Sequence, residues 1–251
     1  MERFARIDGY ERQGSSAPLF IPRGAHLAPN PPAGLIARPM SLAALAPYLV
    51  IALLTAFMIP AAASAQAVRL TVDAHDRSFT INGRSFTIDR IQDETHELTG
   101  EYAKTSRACP PFCITPMKAT DDVETIGELE VMDFLEEIAA KNEGYLLDTR
   151  LPGWFQQGTI PGAVNVPFTT LEESNPYRDD IVTALGGLKE GDKWDFSAAR
   201  QLVIFCNGPW CLQAPMAVRA LRKVGYPAQK IKYYRGGMQV WSSLGLSTIK
   251  P

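Results

Sequence analysis

Apolar residues recur through residues 128–140 (ELEVMDFLEEIAA) so that Val131, Leu135 and Ile138 share one helical face while Glu130, Asp133 and Glu137 fall mostly elsewhere. This spacing predicts an amphipathic helix. Tyr145 to Leu147 reads as a short buried strand ending in Asp148, and Gln201 to Phe205 (QLVIF) is the most strand-like run in the chain, ending directly at Cys206. Residues 215–224 (PMAVRALRKV) predict a helix with Pro215 in its first turn, where the missing N–H costs nothing. A strand at 231–234 and a helix at 238–244 follow. Strands separated by helices imply a parallel sheet covered on both faces, with ligands at the carboxyl ends of the strands.

Before residue 124 the pattern differs. Val68 to Ile91 reads as strand, and Ser-Phe-Thr-Ile stands on both sides of Asn82-Gly83-Arg84. Asn-Gly between alternating residues is a strong hairpin signal, because both turn positions need φ > 0. Residues 92–122 are polar and irregular apart from Cys109-Pro110-Pro111-Phe112-Cys113, and read as a linker that folds onto the next domain. The expected class is α/β: a central parallel sheet flanked by helices, preceded by a small β-hairpin region.

Residues 41–67 carry no charged side chain, and the run is long enough to span a bilayer, for which ~20 apolar residues suffice. Pro60 follows its apolar centre, and Ala63-Ser64-Ala65 forms the small-residue pattern of a signal cleavage site. A secretory signal cut after Ala65 is expected, with an uncleaved inner-membrane anchor as the alternative. The segment before it holds five arginines, and Met40 is an alternative start. The expected organisation is a leader and signal at 1–65, a hairpin and linker region at 66–122, and an α/β domain at 123–251. A periplasmic or secreted protein follows.

Composition narrows the function. The chain has 251 residues, is 46% hydrophobic and carries 25 basic against 27 acidic residues, which excludes a disordered chain. A net charge of −2, falling to −4 when residues 1–65 are removed, argues against nucleic-acid binding. Four cysteines are too few for a disulfide scaffold, and they fall into two pairs, Cys109 with Cys113 and Cys206 with Cys211. Outside the cytoplasm such pairs have to be read as candidate bonds.

Four blocks, LLDTR at 146–150, GTIPGAVNVP at 158–167, LVIFC at 202–206 and YRGGMQVWSSLGL at 234–246, together resemble the rhodanese-like sulfurtransferases. Their order matches one rhodanese domain over about residues 123–249. The resemblance implies a five-stranded parallel sheet and an active cysteine, matched by Cys206, between the fourth strand and the next helix. Two departures stand out. Active relatives usually carry Arg beside the cysteine and often at the sixth loop position, where this chain has Asn207 and Cys211, and no Lys or Arg occurs between Arg200 and Arg219. Phosphatase relatives have a seven-residue loop followed by Arg, and Leu212 excludes that chemistry.

A cysteine between a strand and a helix sits where backbone N–H groups converge, which should lower its pKa and make thiolate, the nucleophilic form. The expected reaction is attack of Cys206 on a sulfane sulfur donor, formation of a Cys206 persulfide and transfer to a thiol or other nucleophile. Asn207, Gly208, Pro209, Trp210, Cys211 and Leu212 form the substrate-binding loop. A loop without a cation suits a persulfide or polysulfide donor better than thiosulfate. Trp210 either shields the site or packs on the domain, and Cys206 read structurally simply closes a buried strand. No histidine follows His96, so a Cys-His hydrolase is unsupported.

Cys211 either resolves the persulfide by forming a disulfide with Cys206 or fills the first helical turn. A thiol-disulfide exchange protein is therefore the rival function, and a catalytically silent module binding an envelope protein is a third. For Cys109 and Cys113 a local disulfide requires a turn at Pro111-Phe112; cross-pairing with the loop cysteines is the alternative. Their spacings fit zinc knuckles poorly, so no metal and no cofactor is expected. Asp148 and Arg150 are supporting residues expected to fix strand-end loops. Arg235 is the nearest candidate in sequence for a cation beside the loop.

Overall fold

The computed structural model describes residues 67–251. The expected leader, Met40 and all but the last residue of the 41–67 run lie outside the described residues. Strands β1 (Arg77–Ile81) and β2 (Arg84–Ile88) form an antiparallel hairpin in which Phe79 opposes Phe86. Its turn residues Asn82 and Gly83 have φ of 50° and 77°, the left-handed geometry a two-residue turn needs. Val68 to Asp76, expected as strand, forms none: Thr71 Oγ1 accepts from the N–H groups of Asp73 and Ala74 and bends the chain there. Phe79 and Ile88 are buried in one apolar cluster with Leu135 and Ile160.

The central sheet contains β3 (Glu124–Ile126), β4 (Gly144–Asp148), β5 (Val164–Asn165), β8 (Gln201–Phe205) and β9 (Ile231–Tyr234). Two short strands, β6 (Leu188–Glu190) and β7 (Lys193–Asp195), form a separate hairpin that the hydrophobic pattern did not reveal. The five central strands run in the order β3-β9-β8-β4-β5, and every pairing is parallel. Side chains alternate across this sheet. Leu202 and Ile204 join a core with Ala217, Val218 and Leu221 on one face, while Val203 and Phe205 join Val131, Leu135 and Trp241 on the other. That two-sided burial is why β8 is apolar at nearly every position.

The helix Glu128–Phe134 continues as wider π turns over Leu135–Ala139. The helix after Cys206 runs from Gln213 to Lys223, two residues earlier than expected. Pro215 is then the third helical residue, still among the first four whose N–H has no helical acceptor. The last helix is Gly237–Ser243. No described helix is long and apolar enough to cross a membrane.

Candidate functional site

The central strand β8 delivers Cys206 to the carboxyl edge of the sheet. Its end is held by Thr149, whose N–H and Oγ1 both donate to the Phe205 carbonyl at 3.0 and 2.8 Å. The loop 207–212 then turns back, with the Cys211 N–H donating to the Gly208 carbonyl at 2.9 Å. Met238 and Gln239 donate their N–H groups to the carbonyls of Cys206 and Asn207 at 3.1 and 2.9 Å. This close approach depends on Gly237: its φ is +56°, and a Cβ there would lie 2.3 Å from the Cys206 carbonyl oxygen. The Gly-Gly pair before the last helix is thus fitted to the cysteine loop.

Cys206 and Cys211 are free thiols, 2% and 6% exposed. Cys206 Sγ lies 3.4 Å from the Cys211 carbonyl oxygen, and Asn207 Nδ2 lies 4.0 Å from Cys211 Sγ. Backbone N–H groups of Ala214 and Gly208 do converge on Cys206, but burial outweighs them. Burial and the neighbouring Cys211 sulfur push the Cys206 thiol well above the ordinary thiol range. The Cys206 S–H, with the N–H groups of Asn207 and Gln213, draws Cys211 down to about 7 despite its burial. The expectation of a lowered Cys206 is therefore corrected: burial raises Cys206, and Cys211 is the sulfur drawn down. The expected convergence of amides exists, yet desolvation in a low-dielectric pocket is the larger effect.

A strap formed by residues 100–117 covers this loop. Tyr102 Oη donates to Asn207 Oδ1 at 3.0 Å and accepts from Arg150 Nη1 at 2.9 Å, and burial pushes its phenol up to about 12. Thr115 donates its N–H and Oγ1 to the Pro209 carbonyl at 2.7 and 2.9 Å. The Arg107 guanidinium lies over the Trp210 ring at 3.9 Å, and Phe112 meets the same ring edge-on at 5.5 Å. Trp210 itself donates Nε1 to Gln239 Oε1. Cys109 and Cys113 are joined by a disulfide with Cα atoms 4.6 Å apart. The reversal begins at Cys109, ahead of the expected Pro111-Phe112. The Phe112 N–H donates to the Ala108 carbonyl at 3.0 Å, so the turn is complete before the Phe112 ring reaches Trp210.

Asp148 and Arg150 are buried at the end of β4, 0% and 1% exposed. Arg150 Nε and Nη2 both donate to the Asp148 carboxylate, at 2.8 and 2.5 Å, and Nη2 also reaches the Gly158 carbonyl at 2.7 Å. Thr159 Oγ1 donates to Asp148 Oδ2 at 2.8 Å. Arg235 is not turned to the loop. Its Nη2 and Nε donate to the carbonyls of Thr115 and Pro116 at 2.8 and 3.1 Å, which holds the guanidinium on the strap. The cation on the loop is Arg107 instead. Sequence reading missed Arg107, Tyr102, Thr115 and Thr149; a cysteine-closed Pro-Pro-Phe turn marks a rigid segment, but nothing in its spacing says what it covers.

A family model for the rhodanese-like domain matches residues 130–244. The HTH-type transcriptional regulator Rv0324 of Mycobacterium tuberculosis is 33% identical over 101 residues, which is 40% of this chain and 35% of the regulator. This chain thus spans about a third of that relative's length. Among solved structures, reduced Bacillus anthracis CoADR-RHD is 24% identical over 49% of this chain and 17% of its own, with a TM-score of 0.34. The human single domain sulfurtransferase TSTD1 is 25% identical, covering 48% of this chain and 96% of its own, with a TM-score of 0.33. The matched segment contains the β4 and β8 strand ends, the cysteine loop and the Gly-Gly turn. By that match, residues 130–244 of this chain are a rhodanese-like domain.

Proposed function

We propose that the protein is a sulfurtransferase that carries sulfane sulfur as a persulfide on Cys206. The observation behind this reading is the sulfur pair itself, in which Cys206, matched to the family's active cysteine by the resemblance of its loop, has beside it Cys211, the sulfur drawn down and so suited to accept a proton. As Cys206 Sγ attacks the outer sulfur of a donor R–S–SH, its proton passes to Cys211. The donor S–S bond breaks, RS⁻ leaves and takes up a proton, and Cys206–S–SH forms. An acceptor thiolate R′S⁻ then attacks the outer sulfur, giving R′S–SH and returning Cys206 as a thiolate. The N–H groups of Gly208 and Ala214 stabilise that thiolate each time it appears.

The donor in this reading is a persulfide or polysulfide and the acceptor a thiol. The 41–67 run, taken as an export signal, would put the Cys109–Cys113 disulfide where disulfides persist. The closeness of Cys206 and Cys211 also favours a second reading, thiol-disulfide exchange through a Cys206–Cys211 bond. One assay separates them: labelled sulfur from a polysulfide is followed to a thiol acceptor. Transfer in the wild type, lost in Cys206→Ser and kept in Cys211→Ala at a reduced rate, supports sulfur transfer. Exchange activity that needs both cysteines, without movement of labelled sulfur, supports the second reading.

A further inference from the structure

The cysteine loop contains no cation, so any charge on a donor has to be read from elsewhere. A cleft of about 600 Å³ opens beside Trp210, lined by Lys104, Arg107, Phe112, Ile114, Trp210 and Gln239, with the Cys109–Cys113 disulfide in its wall. That volume suits a small molecule. The strap supplies what the loop lacks. Arg107 is 92% buried at its side chain, lies flat on Trp210, and has a buried Nε without any hydrogen-bond partner. Its one ionic contact, Nη1 to Glu101 Oε2, is loose at 3.5 Å, while Nη2 is engaged by the Glu101 carbonyl. Lys104, more than half exposed, pairs with the same Glu101. Two cations thus share one carboxylate, leaving a unit of positive charge at the mouth of a cleft whose other lining is apolar or uncharged. Phe112 and Ile114, 37% and 85% exposed, form its apolar side.

We propose that this cleft holds the anionic end of the sulfur donor, a low-molecular-weight thiol persulfide bearing carboxylates. The proposal rests on the sulfur-transfer reading of Cys206 and adds the class of donor. In it, Arg107 and Lys104 hold the carboxylates, and Phe112, Ile114 and Trp210 cover the aliphatic part of the molecule. Recognition of the donor is thereby assigned to a segment outside the matched domain, and the cation-free loop is left to handle sulfur alone.

The test uses the full chain carrying Cys206→Ser, so that binding is read without chemistry, and S-methylglutathione as an unreactive probe with two carboxylates. Titration calorimetry should show binding that weakens with added salt. It should weaken about tenfold in Arg107→Gln/Lys104→Gln, as loss of one or two charge-assisted hydrogen bonds predicts. The exposed single variant Lys104→Gln, which disturbs no buried contact, should weaken it by a smaller factor. Absence of binding, or affinity unchanged in the double variant, overturns the cleft. In a parallel arm with Cys206 intact, glutathione persulfide should lose its advantage in KM over an uncharged persulfide when both cations are replaced. If the probe binds as described but no donor sulfurates Cys206, the sulfur-transfer reading fails and the anion site stands. If Cys206 is sulfurated equally by charged and uncharged donors, the cleft assignment fails and sulfur transfer stands.

Discussion

Cys206 and Cys211 are two buried sulfurs whose thiols are shifted in opposite directions, and this sets the pH response of the site. Cys211 is drawn down to about 7 and Cys206 is pushed well up, so the pair gains its negative charge as pH rises through about 7. Alkylation of the loop cysteines, followed by peptide mapping, should rise over that range. In Cys211→Ser the acceptor is gone but burial remains. Cys206 alkylation should then rise only above the ordinary thiol value of about 8.5. An unchanged midpoint near 7 would place the charge on Cys206 instead. Cys206 was legible as a loop cysteine at the end of a strand, because a strand ending in cysteine ahead of a Gly-Pro turn is a local pattern. Which sulfur is drawn down was not, because desolvation depends on Trp210 and the strap closing over the loop, and no local pattern records that. At the same scale, Asp148→Asn leaves the Arg150 charge buried without its carboxylate. That should cost about 3–5 kcal/mol, read as a shift in the denaturant midpoint. A loss below ~1 kcal/mol would mean that Tyr102 and Gly158 alone satisfy the guanidinium.

Among the elements, three of the five central strands, β4, β8 and β9, were legible in the chain, while the short β3 and β5 were not. QLVIF became β8 over Gln201–Phe205, the 231–234 run became β9, and the 128–140 run became a helix prolonged by π turns. These runs declare themselves because a strand buried on both faces is apolar throughout, whereas a helix packed on one face repeats its apolar residues. The short β6–β7 hairpin, with exposed Leu188 and Lys193, carries no such signal. The junction of β8, the cysteine loop and the last helix depends on Gly237, whose close approach to the Cys206 carbonyl no local pattern records. Gly237→Ala places a left-handed alanine, at about 1–2 kcal/mol, and a Cβ against the Cys206 carbonyl. The variant should unfold at lower denaturant and show slower Cys206 alkylation even where it is fully folded. Stability and reactivity equal to wild type would show that the carbonyl is free to move and that the junction does not set the loop.

Across the whole molecule, the matched domain is overlaid by a segment that does not belong to it. The hairpin β1–β2 buries Phe79 and Ile88 in the core, and residues 100–117 then cover the cysteine loop. With both sulfurs buried, access to them along the covered face of the loop requires this strap to yield. The Phe112 ring adds an edge-on contact to Trp210 worth about 0.5–1.5 kcal/mol, so Phe112→Ala should populate the open strap about two- to tenfold more. Cys206 alkylation at fixed pH should accelerate by the same factor, while an unchanged rate would mean that reagents reach the sulfurs by another route. The strap was read in the sequence as a linker folding onto the domain. Its contacts could not be foreseen, because they are made by isolated polar groups, Tyr102 to Asn207 and Thr115 to Pro209, at separations of 105 and 94 residues. The central claim is that Cys206 carries sulfane sulfur. It is tested most directly by the mass of the intact protein, with peptide mapping, after brief exposure to polysulfide. The account predicts a gain of one sulfur atom located on Cys206, removed by a thiol acceptor and absent in Cys206→Ser. A protein that gains no sulfur on Cys206, or gains only a Cys206–Cys211 disulfide, would contradict it.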